Sequence, residues 1–114
     1  MNPGSGVRAR NVLAGGGLLF FLLVAFPLEA ADPFEGAKLY AESCVHCHGA
    51  TGRGSMPGAP DFSRPADPAN GLIQGDKFLL NRIRRGGTTC PAFRPVYSDG
   101  QIMNIIAHIR RLQH

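Results

Sequence analysis

At 114 residues the chain has room for one domain. Twelve Lys/Arg against eight Asp/Glu leave a formal charge of +4, dispersed and not interleaved with aromatics, which argues against a nucleic-acid interface. Three cysteines is an odd count, so at least one needs a role of its own, and no repeat or charged tail offers an alternative organisation.

The first thirty residues read as a targeting segment. Arg8 and Arg10 make a positive start, Val12 to Phe26 is apolar or glycine throughout, and Pro27 breaks the run. Leu28-Glu29-Ala30-Ala31 then supplies small residues where a signal peptidase would cut. The apolar run falls short of the roughly 20 residues that span a bilayer, so residues 1–30 are expected to be a signal peptide. An uncleaved N-terminal anchor is the alternative, because Leu28 is a mediocre residue three positions before the cut. Either way residues 31–114 form the exported domain, with ten Lys/Arg and seven Asp/Glu. Charge that nearly balanced leaves partner docking to local patches.

Pro33 suits the first position of a helix, where its missing N–H costs nothing. Phe34, Ala37, Tyr40 and Ala41, with Leu39 alongside, predict an apolar stripe running into Cys44. Gly36 inside this helix costs about 1 kcal/mol relative to alanine, a price that close approach of another helix would explain. Residues 49–62 carry many glycines and prolines and predict an irregular loop, and the segment to Gly75 stays mostly irregular. Asp76 is positioned to cap a helix through Arg85, with Gly86 or Gly87 as its stop and arginines at its negative end. Ser98 with Gln101 reads as a capping box, opening a last helix with Ile102, Ile105, Ile106, Ile109 and Leu112 on one face. No strand alternation occurs, so the expected fold is small and all-α.

Cys44-Val45-His46-Cys47-His48 is the chain's chemical centre. A C-x-x-C-H run is the attachment signature of c-type haem: the thiols reach the two vinyl groups of one porphyrin, and the histidine follows as an axial iron ligand. A zinc site would want a second ligand pair, and only Cys90, His108 and His114 follow, at no recognisable spacing. A thioredoxin-type redox pair would want a βαβ setting. Haem attachment also agrees with export, since that chemistry is expected on the outer side of the bacterial inner membrane. Eighty-four residues can barely build a self-sufficient core, so a macrocycle would act as the staple and the apo chain is expected to fold poorly.

The exported part resembles a class I cytochrome c. The residues that carry the likeness are Gly36-Ala37-Lys38-Leu39-Tyr40, Cys44 to Gly49, Ala59-Pro60-Asp61-Phe62, Ile83-Arg84-Arg85-Gly86, and Pro91-Ala92-Phe93 followed by Ser98-Asp99 and the last helix. The resemblance implies a small all-α cytochrome c fold, with three main helices wrapped around one covalently bound haem c per chain. It implies thioethers from Cys44 and Cys47, iron ligation by His48, and a Pro60 carbonyl that fixes the histidine ring. It also makes Gly36 a packing residue at a helix crossing whose aromatic partner is replaced by His108. Pro60, Phe93 and Tyr97, with Ile83, are expected around the haem, and Arg53, Arg82 or Arg85 beside its propionates.

The departure lies on the other side of the iron. Where most of the family reads Met-Pro-Ala-Phe, with the methionine as second axial ligand, this chain reads Cys90-Pro91-Ala92-Phe93. Four readings stay open: Cys90 as thiolate ligand, Met56 as ligand, an iron with no second protein ligand, or ligation by His46, His108 or His114. Met103 is poorly placed for the role. A thiolate would favour Fe(III) and lower the potential relative to a thioether.

The expected function is periplasmic single-electron transfer, as a carrier or as the small cytochrome subunit of a dehydrogenase, and not catalysis by this chain. Expected partners are redox proteins: a dehydrogenase, an oxidase or another cytochrome. Nucleic acid is not expected, and a membrane only if the N-terminal segment is retained. The alternatives are a haem subunit of a thiosulfate-type sulfur-oxidising enzyme, which Cys-ligated c haems resemble, and a small-ligand-binding haem protein with an open site.

Overall fold

The computed structural model describes residues 3, 4, 6, 15–23, 25 and 29–113. Arg8, Arg10, Pro27 and Leu28 of the expected targeting segment, and His114, lie outside the described residues. In the described part of the apolar run, Leu18 to Leu23 are exposed. Among the described residues no helix is long and apolar enough to cross a membrane.

Four α-helices and one 3-10 turn make up the described secondary structure, without a strand: α1 (Pro33–Ser43), α2 (Val45–His48), the turn Pro68–Asn70, α3 (Asp76–Arg85) and α4 (Asp99–Arg111). Local chemistry sets most of their ends. Asp32 caps α1, its carboxylate accepting from the amides of Phe34 and Glu35 at 2.8 and 3.3 Å, with Pro33 next in the chain. Ser98 and Gln101 close both halves of a capping box on α4.

The frame is the crossing of α1 and α4, with α3 packed on α4. Gly36 makes that crossing possible: a Cβ added there would fall 2.9 Å from the Ile105 amide nitrogen and closer still to the Asn104 carbonyl. Backbone meets backbone, which no residue with a side chain allows. Asn104 strengthens the junction by accepting from the Asp32 amide at 2.8 Å. His108 is half-buried in the same interface, its ring 5.0 Å from that of Tyr40. Ile102, Ile105, Ile106 and Ile109 are buried as the isoleucine periodicity predicts, while Leu112 is packed at the margin.

Two expectations are corrected. Of the expected α1 stripe, Tyr40 is buried beside Gly36, and Ala37 and Leu39 are half-buried, but Phe34 and Ala41 do not face the core. Phe34 is exposed under the Arg111 guanidinium, 4.9 Å from its ring centroid, and Ala41 is exposed as well. The close crossing turns the glycine inward, and the face rotates with it. Asp76 does not cap α3, whose N-cap is Gly75. Its carboxylate accepts instead from Arg110 Nε and Nη2 at 3.1 and 3.0 Å, charge-assisted bonds that outweigh one bond to a neutral amide. The same guanidinium donates to the Leu72 and Gln74 carbonyls, tying α4 to the segment ahead of α3.

Gly36→Ala separates two opposed effects. Helix propensity alone would raise stability by about 1 kcal/mol, whereas the steric conflict costs about 1–3 kcal/mol or more. Chemical denaturation of the holoprotein should show net destabilisation. Gly100→Ala, whose methyl meets nothing closer than 3.9 Å, should be neutral or stabilising.

Candidate haem site

Cys44 ends α1, its amide bonded to the Tyr40 carbonyl at 2.8 Å, and α2 follows as a single turn. One helical turn carries residues 44, 47 and 48 round to a common side, and all three line a cavity of about 880 Å³. That volume lies in the roughly 300–1,000 Å³ range of cofactor pockets. His46, the fourth polar member of the run, is exposed and does not line it.

The glycine-rich loop folds back on this turn. The amides of Ser55 and Met56 donate to the Cys47 carbonyl at 2.8 and 3.2 Å, and that of Gly54 to the His48 carbonyl at 2.8 Å. The loop thereby brings Met56, Pro60 and Phe62 to the cavity wall. The Phe62 ring stacks on His48, with centroids 4.5 Å apart and planes 22° from parallel. Burial lowers the His48 pKa, against an opposing hydrogen-bonding influence of the Pro60 carbonyl, and so favours a neutral imidazole. His48 Nδ1 is buried and has no hydrogen-bond partner among the described residues. A proton kept on Nδ1 leaves Nε2 as the metal-binding nitrogen.

The other wall comes from α3 and the loop after it. Gly86 turns the chain with φ 70°, and a Cβ there would lie 2.6 Å from the Cys90 carbonyl and the Ala92 amide. The loop is then pinned to the end of α3: Gly87 N–H donates to Cys90 O at 2.8 Å, Phe93 N–H to Ile83 O at 3.1 Å and Arg94 N–H to Arg84 O at 3.2 Å. Cys90, Phe93 and Ile83 line the cavity. Tyr97 does not; it is buried behind Phe93, rings 5.9 Å apart, and its hydroxyl hydrogen-bonds Ser43 Oγ at 2.6 Å. Of the arginines weighed as propionate partners, Arg82 lines the cavity, while Arg53 and Arg85 do not. His108 and Met103 are likewise absent from its wall.

Burial pushes the Cys44 thiol up to about 12, with Cys90 and then Cys47 adding to the effect. Burial also raises Cys90, against the favourable charge of Arg82. Three cysteines, none in a disulfide, thus share one apolar-walled space. Among the described residues no three His, Cys, Asp or Glu side chains group to hold a bare metal ion. Two thiols and an imidazole on one turn, and a cavity too large for an ion, fit a covalently held haem.

Asn70 is a site residue that periodicity did not reveal. Its buried amide donates to the Asp61 carbonyl at 2.8 Å and to the Arg64 carbonyl, while its oxygen accepts from the Leu72 amide at 2.9 Å. It staples the loop that carries Pro60 and Phe62 to the cavity floor at Leu72. An irregular segment has no period, so an isolated asparagine carries no signal there beyond a turn.

An all-helical fold with a C-x-x-C-H turn on such a cavity defines a monohaem c-type cytochrome, an electron carrier that binds haem c. The chain belongs to the family described as cytochrome c oxidase, cbb3-type, subunit III, which it matches over residues 31–109. It is 29% identical over 83 residues to cytochrome c6 of Synechococcus sp., covering 73% of this chain and 72% of that one. It is 25% identical over 91 residues to cytochrome c6 of Nostoc sp., covering 80% of each. Its fold matches cytochrome cL of Methylophaga aminisulfidivorans with a TM-score of 0.62 at 21% identity over 71% of this chain. The chain spans about half the length of that cytochrome, matching 53% of it.

Asn70→Ala should cost about 1–3 kcal/mol in denaturant unfolding, since it leaves the Leu72 amide without its acceptor and takes one donor each from the Asp61 and Arg64 carbonyls. The Tyr40 phenol, which donates to the Gly49 carbonyl at 2.7 Å, is raised to about 12, chiefly by burial. A raised folded-state value contributes stability that is intact below the ordinary tyrosine value near 10 and lost as pH climbs toward 12. Unfolding midpoints measured across that window should fall for the parent, and Tyr40→Phe should flatten the fall.

Proposed function

We propose that the chain is an exported single-electron carrier whose haem is attached through Cys44 and Cys47, with His48 and Cys90 as the axial iron ligands. In this reading residues 1–30 are a signal peptide and residues 31–114 the mature periplasmic domain. The exposed apolar run Leu18 to Leu23 supports a segment made for the export machinery and not for the fold. The observation that carries the site is the convergence of Cys44, Cys47, His48 and Cys90 on one cavity.

When bound, the haem supplies a one-electron Fe(III)/Fe(II) couple. The chain's own residues hold and tune it. Phe62 stacked on one face of His48 restricts the imidazole, and the Pro60 carbonyl favours the proton on Nδ1. Ile83, Leu79, Phe93 and Ile105 exclude water from the cavity. A dry, fixed environment changes little between oxidation states, which is what rapid electron exchange with a partner requires. Redox partners would be a dehydrogenase, an oxidase or another cytochrome, met at local patches of a nearly balanced surface.

Between the two sulfur candidates, backbone anchoring and burial favour Cys90. Met56 is 52% exposed and its amide is committed to Cys47, the residue of haem attachment. Cys90 is half-buried on a loop held to α3 by main-chain bonds. Its raised thiol pKa belongs to the protein alone; coordination to a ferric centre would draw the proton off, as metal binding does for thiols generally.

Cys90→Met should raise the midpoint potential and replace a thiolate-type EPR spectrum with one typical of a thioether, while Met56→Ala should change neither. An unchanged potential in Cys90→Met overturns the assignment. Direct reduction of the parent haem by thiosulfate, without a partner enzyme, would favour a sulfur-oxidising subunit instead.

A further inference from the structure

Arg82 stands where a cation has consequences for the Cys90 side of the cavity. It lines the main cavity together with Cys90, Phe78 and Ile83, and it also lines a smaller recess of about 280 Å³ with Asn81, Arg85 and Gly86. Its guanidinium rests on the backbone at Gly87: a Cβ added to Gly87 would meet Arg82 Nη2 at 2.6 Å and Cζ and Nη1 at 2.9 Å. Gly87 is the residue whose amide donates to the Cys90 carbonyl at 2.8 Å. The guanidinium and residue 90 are therefore held by the same turn. Among the described residues no carboxylate pairs with Arg82, whereas Arg84 and Arg110 have Asp99 and Asp76.

We propose that Arg82 is a positioning residue for the Cys90 sulfur, a fixed counter-charge that stabilises the thiolate in the axial position and moderates its electron donation to the iron. The inference rests on Cys90 ligation as proposed above. A sulfur anion in an apolar cavity is costly unless a cation or donor faces it. In the structure the Cys90 thiol donates to the Pro91 carbonyl at 3.7 Å; once the proton is lost, the guanidinium beside the loop is the cation available to the sulfur. A glycine at position 87 then has a purpose beyond ending α3: it leaves room for the guanidinium beside the loop.

A double-mutant cycle on the holoprotein tests the proposal, read by midpoint potential and by EPR of the ferric state. Arg82→Gln should lower the potential and alter the thiolate-type EPR spectrum of the parent. Arg82→Lys, which keeps charge but loses the fork, should recover part of the shift. Gly87→Ala, which displaces the guanidinium without removing it, should move the potential in the same direction as Arg82→Gln. In the Cys90→Met background the Arg82→Gln shift should be clearly smaller, because only the through-space effect of the charge on the haem remains and a neutral thioether has no charge to balance. Equal shifts in both backgrounds would mean that Arg82 acts on the haem as a whole, as a propionate partner would, and would overturn the proposal. So would an unchanged potential and spectrum in Arg82→Gln. If Cys90→Met itself leaves the EPR spectrum unchanged, Cys90 is not a ligand and the underlying reading fails first, an outcome distinct from the other two.

Discussion

The backbone-to-backbone crossing of α1 and α4 at Gly36 is the contact on which the remaining structure depends. It holds the start of α1 to the middle of α4 through the Asn104 side chain, and so places Cys44, at the far end of α1, beside the buried isoleucines. A larger interhelical distance would separate Tyr40 from His108 and carry the attachment turn away from the wall built by Ile105, Ile106 and Ile109. Helix pairing and cofactor placement are one problem here, solved by one absent side chain.

What the pair encloses is incomplete by design. A domain of this size buries only part of its chain surface, and here a cavity of about 880 Å³ lies where larger domains have side chains. Helices α3 and α4 supply part of its wall, and the irregular segments that supply the rest are tied in by single polar residues: Asn70 across the floor and Arg110 between α4 and the strap before α3. A group that fills such a cavity would add its binding energy to the stability of the fold, in the way that small metal-dependent domains couple the two.

Legibility in the sequence followed the range of the interactions. Asp32 before Pro33 and Ser98 before Gln101 act within one turn, and both helix starts could be read directly. Asp76 looked equally like a cap, but its partner Arg110 is 34 residues distant and invisible to a local pattern. Phe34 and Ala41 satisfied helical spacing as well as Gly36 and Tyr40 do; only the partner helix decides which face is inward. The cavity residues Cys44, Cys47, His48, Pro60 and Phe93 were legible through a motif and a family likeness. Tyr97 lies behind Phe93 and does not line the cavity; neighbourhood in sequence does not say which of the two rings faces inward. Arg82 could not be chosen from three arginines, since position relative to a cavity is a property of the fold.

The two walls also differ in how they tolerate change. On the attachment side, side-chain identity enters the geometry directly: Phe62 lies on His48, and the turn through Cys47 receives two loop amides. On the other side, the loop of Cys90 is fixed by bonds from Gly87, Phe93 and Arg94 that involve only main-chain atoms. Nothing in that set depends on the side chain at position 90. The loop can therefore present methionine, as most of the resembling family does, or cysteine, with the same backbone path. In the proposed reading, a fold so divided would hold the haem with one wall and leave the other free to set its electronic character.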